Sequence, residues 1–402
     1  MRRTGAVMLK LLNKYEEKLV AHGLCSSGAP LVGGINDTVI WNREDPLAEE
    51  LEKIIGGLNI NSMIFARPVE PFFSILNYHC RRSDAEFVPE DTETRTFLHS
   101  IPVARSMAAT EIIPLLQKRK GCVVEGHGII AFGTVSPEQA FVVFSSIIFS
   151  AFVKFFVDYA YSLHAGITDE EAGKMMPDVL AAYEQFLPGN TEADLETGFF
   201  SEDDDIVRAM IHAGQATVDA RMVDSFFGNI SYFVNDTVYI SQTGSSMDEL
   251  EGCVDACPLD DSASTGITAS SELVAHRDIY LGGGNRAILH GHPKFSVIMS
   301  MLCFEEECEN RWKCHIKCDK ERFVDDIPVI PGEVGTGPRG LSNTLPPAVQ
   351  GRRGAIVYGH GVFTVGKKDF RDPFTNLSEI EKLCRDAYLK IISGYSGGSP
   401  QS

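Results

Sequence analysis

The sequence predicts an α/β protein made of two copies of one domain. Three observations carry that reading. Short motifs recur along the chain in a fixed order. Each half mixes short β-rich runs with helical stretches, the mark of an α/β domain. The chain has 402 residues, 44% apolar and 23% charged, enough for a large core and suited to two or three domains.

The recurrence runs from one end to the other. Asn36-Asp37-Thr38-Val39 returns as Asn235-Asp236-Thr237-Val238, and Pro71-Phe72-Phe73-Ser74-Ile75 as Pro293-Lys294-Phe295-Ser296-Val297. Ile101-Pro102-Val103 returns as Ile327-Pro328-Val329, and Val124-Glu125-Gly126-His127-Gly128 as Val357-Tyr358-Gly359-His360-Gly361. The offsets are 199, 222, 226 and 233, rising steadily, as in a duplication whose second copy gained insertions. This divides the chain into a first domain at 1–166, an acidic helical linker at 167–204, a second domain at 205–394 and a disordered tail at 395–402.

At the N-terminus, Arg2 and Arg3 precede a short apolar run, Gly5 to Leu12, which Lys10 interrupts. No A-x-A cleavage pattern follows, so the expectation is a cytoplasmic protein with reduced cysteines. The most membrane-like run, Ala140 to Phe156, is broken by Ser145, Ser146, Ser150 and Lys154. It opens with Ser136-Pro137-Glu138-Gln139, a helix start, and reads as a buried helix of a core or an interface. Thr168-Asp169-Glu170-Glu171 is a capping box that opens the linker. In the second half, Val238–Ser241, Ala287–Leu289 and Ala355–Tyr358 read as strands. Ile206–Val223, Ser271–Tyr280 and Leu377–Ile392 read as helices.

Charge narrows the function. With 36 Lys and Arg against 55 Asp and Glu, the formal net charge is −19. Such a surface repels phosphate backbones and anionic lipid, so neither nucleic acid nor membrane is expected as a partner. A small anionic substrate needs a locally favourable pocket.

The second half offers one. His290-Gly291-His292 follows a strand, and residues two apart on a strand share a face. H-x-H alone is a weak motif. His360 strengthens it by ending another strand between two glycines. Three imidazoles with an open fourth position suit a catalytic Zn²⁺. Gly228-Asn229-Ile230-Ser231 and Thr243-Gly244-Ser245-Ser246 flank a strand. Their N–H and hydroxyl groups could cradle phosphate, although on chemistry alone two hairpin turns is the simpler reading. Ser270-Ser271-Glu272 stands at a helix start, where dipole and free N–H groups favour an anion.

In this order, these residues resemble the class II aldolase/adducin family, which includes the L-fuculose- and L-rhamnulose-1-phosphate aldolases. The resemblance covers roughly 190 residues of the second half. It implies three-layer α-β-α domains with a central, mostly antiparallel sheet. It implies that His290, His292 and His360 hold Zn²⁺ or another divalent metal. Gly228, Asn229, Thr243, Gly244, Ser270 and Ser271 would bind the phosphate of a small phosphorylated sugar, and Glu272 would be the acid/base carboxylate. The activity implied is cleavage of a phosphorylated ketose to dihydroxyacetone phosphate and an aldehyde. Pentulose-phosphate 4-epimerases and sugar-phosphate dehydratases or decarboxylases share the fold and the histidines. Adducin-like members are non-enzymatic, a role for which a histidine triad has no use. Rings of four domains in the family imply a homodimer of this two-domain chain, a pseudo-tetramer, with the Ala140–Phe156 helix against another domain.

The first half keeps only His127. With the 222 offset, Pro68 and Glu70 stand at the positions of His290 and His292, and Ala48, Glu49 and Glu50 at those of Ser270, Ser271 and Glu272. One histidine does not hold a metal tightly, so this half reads as non-catalytic and His127 as a hydrogen-bonded structural residue. Two further features depart from the family. Cys303, Cys308, Cys314 and Cys318 lack paired C-x2-C knuckles and read as unligated thiols rather than a zinc site. Pro331 to Gly337 is a turn-rich run whose Glu333 reads as a loop residue facing solvent rather than a second acid/base group.

Overall fold

The computed structural model describes residues 2–188, 193–224, 226–311, 313–333 and 337–396. Val334 to Thr336 of the turn-rich run and most of the expected tail, 397–402, lie outside the described residues. The chain divides into two units: Met1–Tyr159 with Thr168–Phe186, and Ala160–Ile167 with Leu187–Ser402.

Unit 1 has strands β1 (Leu31–Ile35), β2 (Val39–Trp41), β3 (Ser62–Ala66), β4 (Glu86–Phe87), β5 (Ile101–Ala104), β6 (Gly121–Val124) and β7 (Gly128–Gly133). They form one sheet in the order β2-β1-β3-β7-β6-β5-β4. Its helices are α1 (Arg2–Ala21), α2 (Ala48–Gly56), α3 (Phe72–Arg82), α4 (Thr92–Leu98), α5 (Ala109–Leu116), α6 (Pro137–His164, to residue 159) and α7 (Glu170–Phe186). One face of the sheet, with Met63, Phe65, Cys122 and Ile130, packs on Leu51, Ile54 and Ile55 of α2 and on Ile112 and Leu116 of α5.

Helix α6 is long and apolar enough to cross a membrane, yet 89% of its apolar stretch is buried inside the protein. The expectation of a partner domain against it needs correction. Unit 1 itself covers these aromatic rings: Phe141 meets His22 of the α1 segment at 5.5 Å, Phe152 meets Phe72 of α3 at 5.8 Å, and Phe155 meets Tyr78 at 5.1 Å. Ser145 and Ser146 return their hydroxyls to the helix backbone, Ser145 Oγ to Val142 O at 3.1 Å and Ser146 Oγ to the same oxygen at 2.5 Å, whereas the buried Ser150 hydroxyl has no partner among the described residues. Helix α7 is also part of unit 1 rather than a connector, with the Tyr183 ring tilted against Phe152 at 4.8 Å. Its cap is Asp169, whose Oδ1 accepts from Ala172 N at 3.0 Å, one residue beyond the expected Thr168.

Unit 2 has β8 (Asn229–Val234), β9 (Thr237–Ser241), β10 (Val254–Pro258), β11 (Ala287–Gly291), β12 (Arg322–Val324), β13 (Ile327–Ile330), β14 (Gly354–Val357) and β15 (Gly361–Gly366). Their order is β10-β9-β8-β11-β15-β14-β13-β12. Its helices are α8 (Asp203–Asp219), α9 (Leu273–Leu281), α10 (Lys294–Met301), α11 (Leu341–Val349) and α12 (Arg371–Ser396). Helices α9 and α11 cover one face, burying Ile279, Tyr280, Leu341 and Leu345 against Ile288, Val357, Phe363 and Val365. Helices α10 and α12 lie on the other, where Leu377 of α12 reaches Gly291. Each unit is thus a sheet flanked by helices.

The two sheets share one plan. Strands β2-β1-β3-β7-β6-β5-β4 match β9-β8-β11-β15-β14-β13-β12 in order, and β10 is an extra edge strand. In both, every neighbouring pair is antiparallel except one, β5 with β6 and β13 with β14. The pairing also fixes which residues correspond. Phe65 pairs with Ile130 as His290 pairs with Phe363, and Ser62 with Gly133 as Ala287 with Gly366. Phe65 and Arg67 therefore stand at the positions of His290 and His292, in place of Pro68 and Glu70. Five residues separate β3 from α3 but two separate β11 from α10, so the offset changes from 225 to 222 only after the strand. Likewise Leu47, the residue before α2, corresponds to Glu272, the residue before α9, and Glu50 lies inside the helix.

Candidate metal centre and acid/base carboxylate

His290 lies on β11 with its side chain on the same face as Ile288, the face covered by α9. His292 follows the strand end, and His360 sits in the turn between β14 and β15. All three are buried, and one ring nitrogen from each lies within 4.8 Å of the other two. Among the described residues no other set of three His, Cys, Asp or Glu groups converges in this way. The four cysteines Cys303, Cys308, Cys314 and Cys318 are free thiols, as are the other six. Glu333 is exposed.

Several contacts orient the triad. His290 Nδ1 donates to Val362 O at 3.0 Å. A carbonyl only accepts, so the proton is on Nδ1 and Nε2 presents its lone pair. The ring stacks on Phe363, centroids 3.8 Å apart at 7°, and His292 stacks on Phe227 at 5.6 Å. Burial lowers the pKa of His290 to about 4 and that of His292 well below its ordinary value, so both rings are neutral at neutral pH and free of the proton that would bar metal binding. Their Nε2 atoms are 3.0 Å apart. Two nitrogens bound tetrahedrally to zinc at their usual bond lengths are separated by about 3.3 Å. The donor set and its spacing fit a divalent metal.

Glycines let the chain close around these rings. A Cβ on Gly361 would lie 2.4 Å from Gly291 O and 2.8 Å from His290 Cε1. A Cβ on Gly228, whose φ is +80°, would lie 2.4 Å from His290 O.

Glu272 precedes the first residue of α9 and is buried. Its Oε2 is 3.7 Å from His290 Nε2 and its Oε1 3.6 Å from His360 Nε2. Asn229, the first residue of β8, donates from Nδ2 to Glu272 Oε2 at 2.6 Å. Burial raises the carboxyl's pKa, while His360 and the Asn229 hydrogen bond pull it down. A carboxyl so placed can exchange a proton with anything bound at the triad.

The remaining sequence candidates fall around this centre. Ser270 N donates to Ser241 O at 3.0 Å and Thr243 N to Thr268 O at 2.9 Å, which ties the end of β9 to the segment leading into α9. Thr243, Gly244 and Ser270 thereby share one corner with Glu272. Thr243 Oγ1 is used by Ala269 O at 2.9 Å, and Ser270 Oγ accepts from Glu272 N at 3.3 Å. Ser271 is exposed. Asn229 and its neighbours form the start of β8 itself rather than a turn ahead of it. Sequence reading missed Phe363 and Phe227, which only their stacking on the histidines reveals.

In unit 1 the same positions hold Leu31, Leu47, Phe65 and Arg67 in place of Asn229, Glu272, His290 and His292. Phe65 is packed into the core. His127 is exposed and makes no side-chain hydrogen bond among the described residues, which corrects the expectation of a bonded structural role.

Residues 208–388 match the Class II Aldolase and Adducin N-terminal domain. The matched stretch lies in the second half of the chain and contains Asn229, Glu272 and the three histidines, so that half is similar to the class II aldolase/adducin family. Solved structures similar to this chain include the L-fuculose-1-phosphate aldolase of Thermus thermophilus, 21% identical, covering 50% of this chain and 100% of that one with a TM-score of 0.38. A putative aldolase/epimerase/decarboxylase from Klebsiella pneumoniae is 18% identical over 47% of this chain and 91% of its own, with a TM-score of 0.39. A sugar-phosphate aldolase from Thermotoga maritima is 17% identical over 49% and 98%, with a TM-score of 0.36. No curated protein matches the chain significantly.

Proposed function

We propose that the class II aldolase domain is a metal-dependent lyase that cleaves a phosphorylated ketose into dihydroxyacetone phosphate and an aldehyde. The observation that supports this most is the Glu272 carboxyl, buried and held by Asn229 within 3.7 Å of two triad nitrogens. His290, His292 and His360 would hold the metal, Zn²⁺ or another divalent ion. When bound, it would supply Lewis acidity to the substrate's carbonyl. The hydroxyl on the far side of the scissile bond gives its proton to water and becomes the aldehyde, and the bonding pair stays with the ketone fragment. Glu272 delivers the proton that completes that carbon, and takes it away in the condensation direction. Gly228, Asn229, Thr243, Gly244, Ser270 and Ser271 bind the phosphate through neutral N–H and hydroxyl donors, as an acidic protein requires.

Unit 1 lacks the triad and is assigned a structural role. Two chains associating would bring together four domains, and light scattering should then report twice 44.1 kDa. A monomeric mass at micromolar concentration would count against the dimer.

The reaction is tested with a panel of ketose 1-phosphates and pentulose 5-phosphates, products being identified by NMR. Dihydroxyacetone phosphate plus an aldehyde supports the lyase. An epimer, or a dehydrated or decarboxylated product without dihydroxyacetone phosphate, overturns it.

A further inference from the structure

The far end of the same sheet carries a second concave site. A cavity of about 940 Å³ lies where β11 and β14 begin and β15 ends. Asn285 on its wall is five residues from His290, roughly 17 Å along an extended strand, so this cavity is separate from the metal centre. Its walls come from the C-terminal side of α9, the end of α11 and the first turns of α12.

Its charge runs against that of the protein. In a chain with 55 acidic and 36 basic residues, Arg352, Arg353, Lys367 and Arg371 converge here against Asp372 and Glu379. Arg353 is already committed, to Glu379 at 2.8 Å and Asp326 at 3.1 Å. Lys367 and Arg371 have no acidic partner among the described residues. Arg352 donates to a backbone oxygen, Ala348 O at 3.3 Å, and lies over the Phe323 ring at 5.9 Å, with no acidic partner among the described residues. Gly282-Gly283-Gly284 forms another wall. Gly283 and Gly284 both have φ of +91°, a Cβ on either would meet nothing within 4 Å, and Gly284 N–H has no backbone partner among the described residues. Arginine forks, lysines and open glycine amides all bind phosphoryl oxygens.

Unit 1 has lost part of this equipment. By strand register Thr134 stands where Lys367 does, and following the equivalent caps Gly57 and Gly282, Leu58 and Asn59 replace Gly283 and Gly284. The feature belongs to the unit that also carries the histidine triad.

We propose that this cavity is a second ligand site, distinct from the metal centre, that binds a phosphate-bearing small molecule through Arg352, Lys367, Arg371 and the Gly284 amide. Its volume suits a ligand larger than free phosphate. Binding here does not depend on the proposed lyase reaction.

Pyrophosphate is the probe, titrated by calorimetry into the full metal-loaded chain. The expected result is saturable binding that persists within about twofold in His290→Ala and weakens at least about tenfold in the double variant Lys367→Glu, Arg371→Glu. Both substituted residues are exposed, and an unchanged melting temperature confirms that the double variant is folded. A control, Lys53→Glu with Lys174→Glu, makes the same charge change on exposed lysines of unit 1 and should leave affinity within about twofold. No binding by the unaltered protein, binding abolished by His290→Ala, equal affinity in the Lys367/Arg371 variant, or an equal loss in the control would each overturn the proposal.

Discussion

Asn229 Nδ2 donates a 2.6 Å hydrogen bond to Glu272 Oε2, joining the first residue of β8 to the residue ahead of α9. That bond and His360 oppose the burial that raises the carboxyl's pKa. Replacing Asn229 by Ala removes one of the two opposing influences, so the pKa rises further. In the condensation direction of the proposed reaction, Glu272 must be ionised to accept a proton. The acid limb of kcat/KM against pH should therefore move to higher pH in Asn229→Ala. An unmoved limb would show that this carboxyl does not govern the profile.

Glu272→Gln should lose activity yet stabilise the metal-stripped protein. The folded-state pKa of Glu272 is raised by burial above that of an unfolded chain. Stability linked to it is full below the unfolded value and is lost as pH rises through the folded one. At neutral pH the native carboxylate thus carries a penalty that a neutral amide lacks, and Gln still accepts from Asn229. Thermal denaturation at pH 7 should favour the variant by of the order of 1 kcal/mol, with the difference vanishing towards pH 4.

Metal analysis tests the triad directly. The purified protein should carry about one divalent ion per chain, and fewer than about 0.1 would favour a non-enzymatic role. His290→Ala, His292→Ala and His360→Ala should each lose the ion and at least about a hundredfold in activity. Full activity in any of them, or after chelation, would remove the metal from the mechanism.

His127→Ala makes the opposite case. This is the one triad position that unit 1 retains, but the other two hold Phe65 and Arg67 and its ring is exposed. Metal content and turnover should stay within about twofold of the unaltered protein, and stability within about 0.5 kcal/mol.

The histidine triad was legible in the sequence because strand periodicity puts chemistry and spacing in one place. His290-Gly291-His292 ends a buried strand, and His360 lies in the glycine-flanked turn that leads into β15, the strand paired with β11. Glu272 was visible only through family resemblance, because a carboxylate at a helix start reads as a cap. The detailed correspondence between the halves was not legible. Pro68 aligns with His290 by motif, yet the backbone inserts its extra residues after β3, and only pairing partners such as Ile130 and Phe363 expose the slip. Nor could the sequence say what covers α6. Its rings are met by His22, Phe72 and Tyr78, distant in sequence and brought close only by the fold.

Gly361 should be the least replaceable small residue of the site. It begins β15 directly after His360, and its missing side chain leaves room for three groups at once. A Cβ there would stand 2.4 Å from Gly291 O, 2.8 Å from His290 Cε1 and 2.9 Å from His292 Cδ2. None of these can yield cheaply. The carbonyl belongs to the strand paired with β15, His290 is pinned between Phe363 and Val362 O, and His292 is buried against Phe227. Gly361→Ala should therefore cost about 1–3 kcal/mol in chemical denaturation and displace both rings. Metal affinity should fall at least about tenfold, with a loss of kcat that added metal only partly restores. A variant with native stability and native metal affinity would mean that the strands around the triad open more readily than their pairing implies.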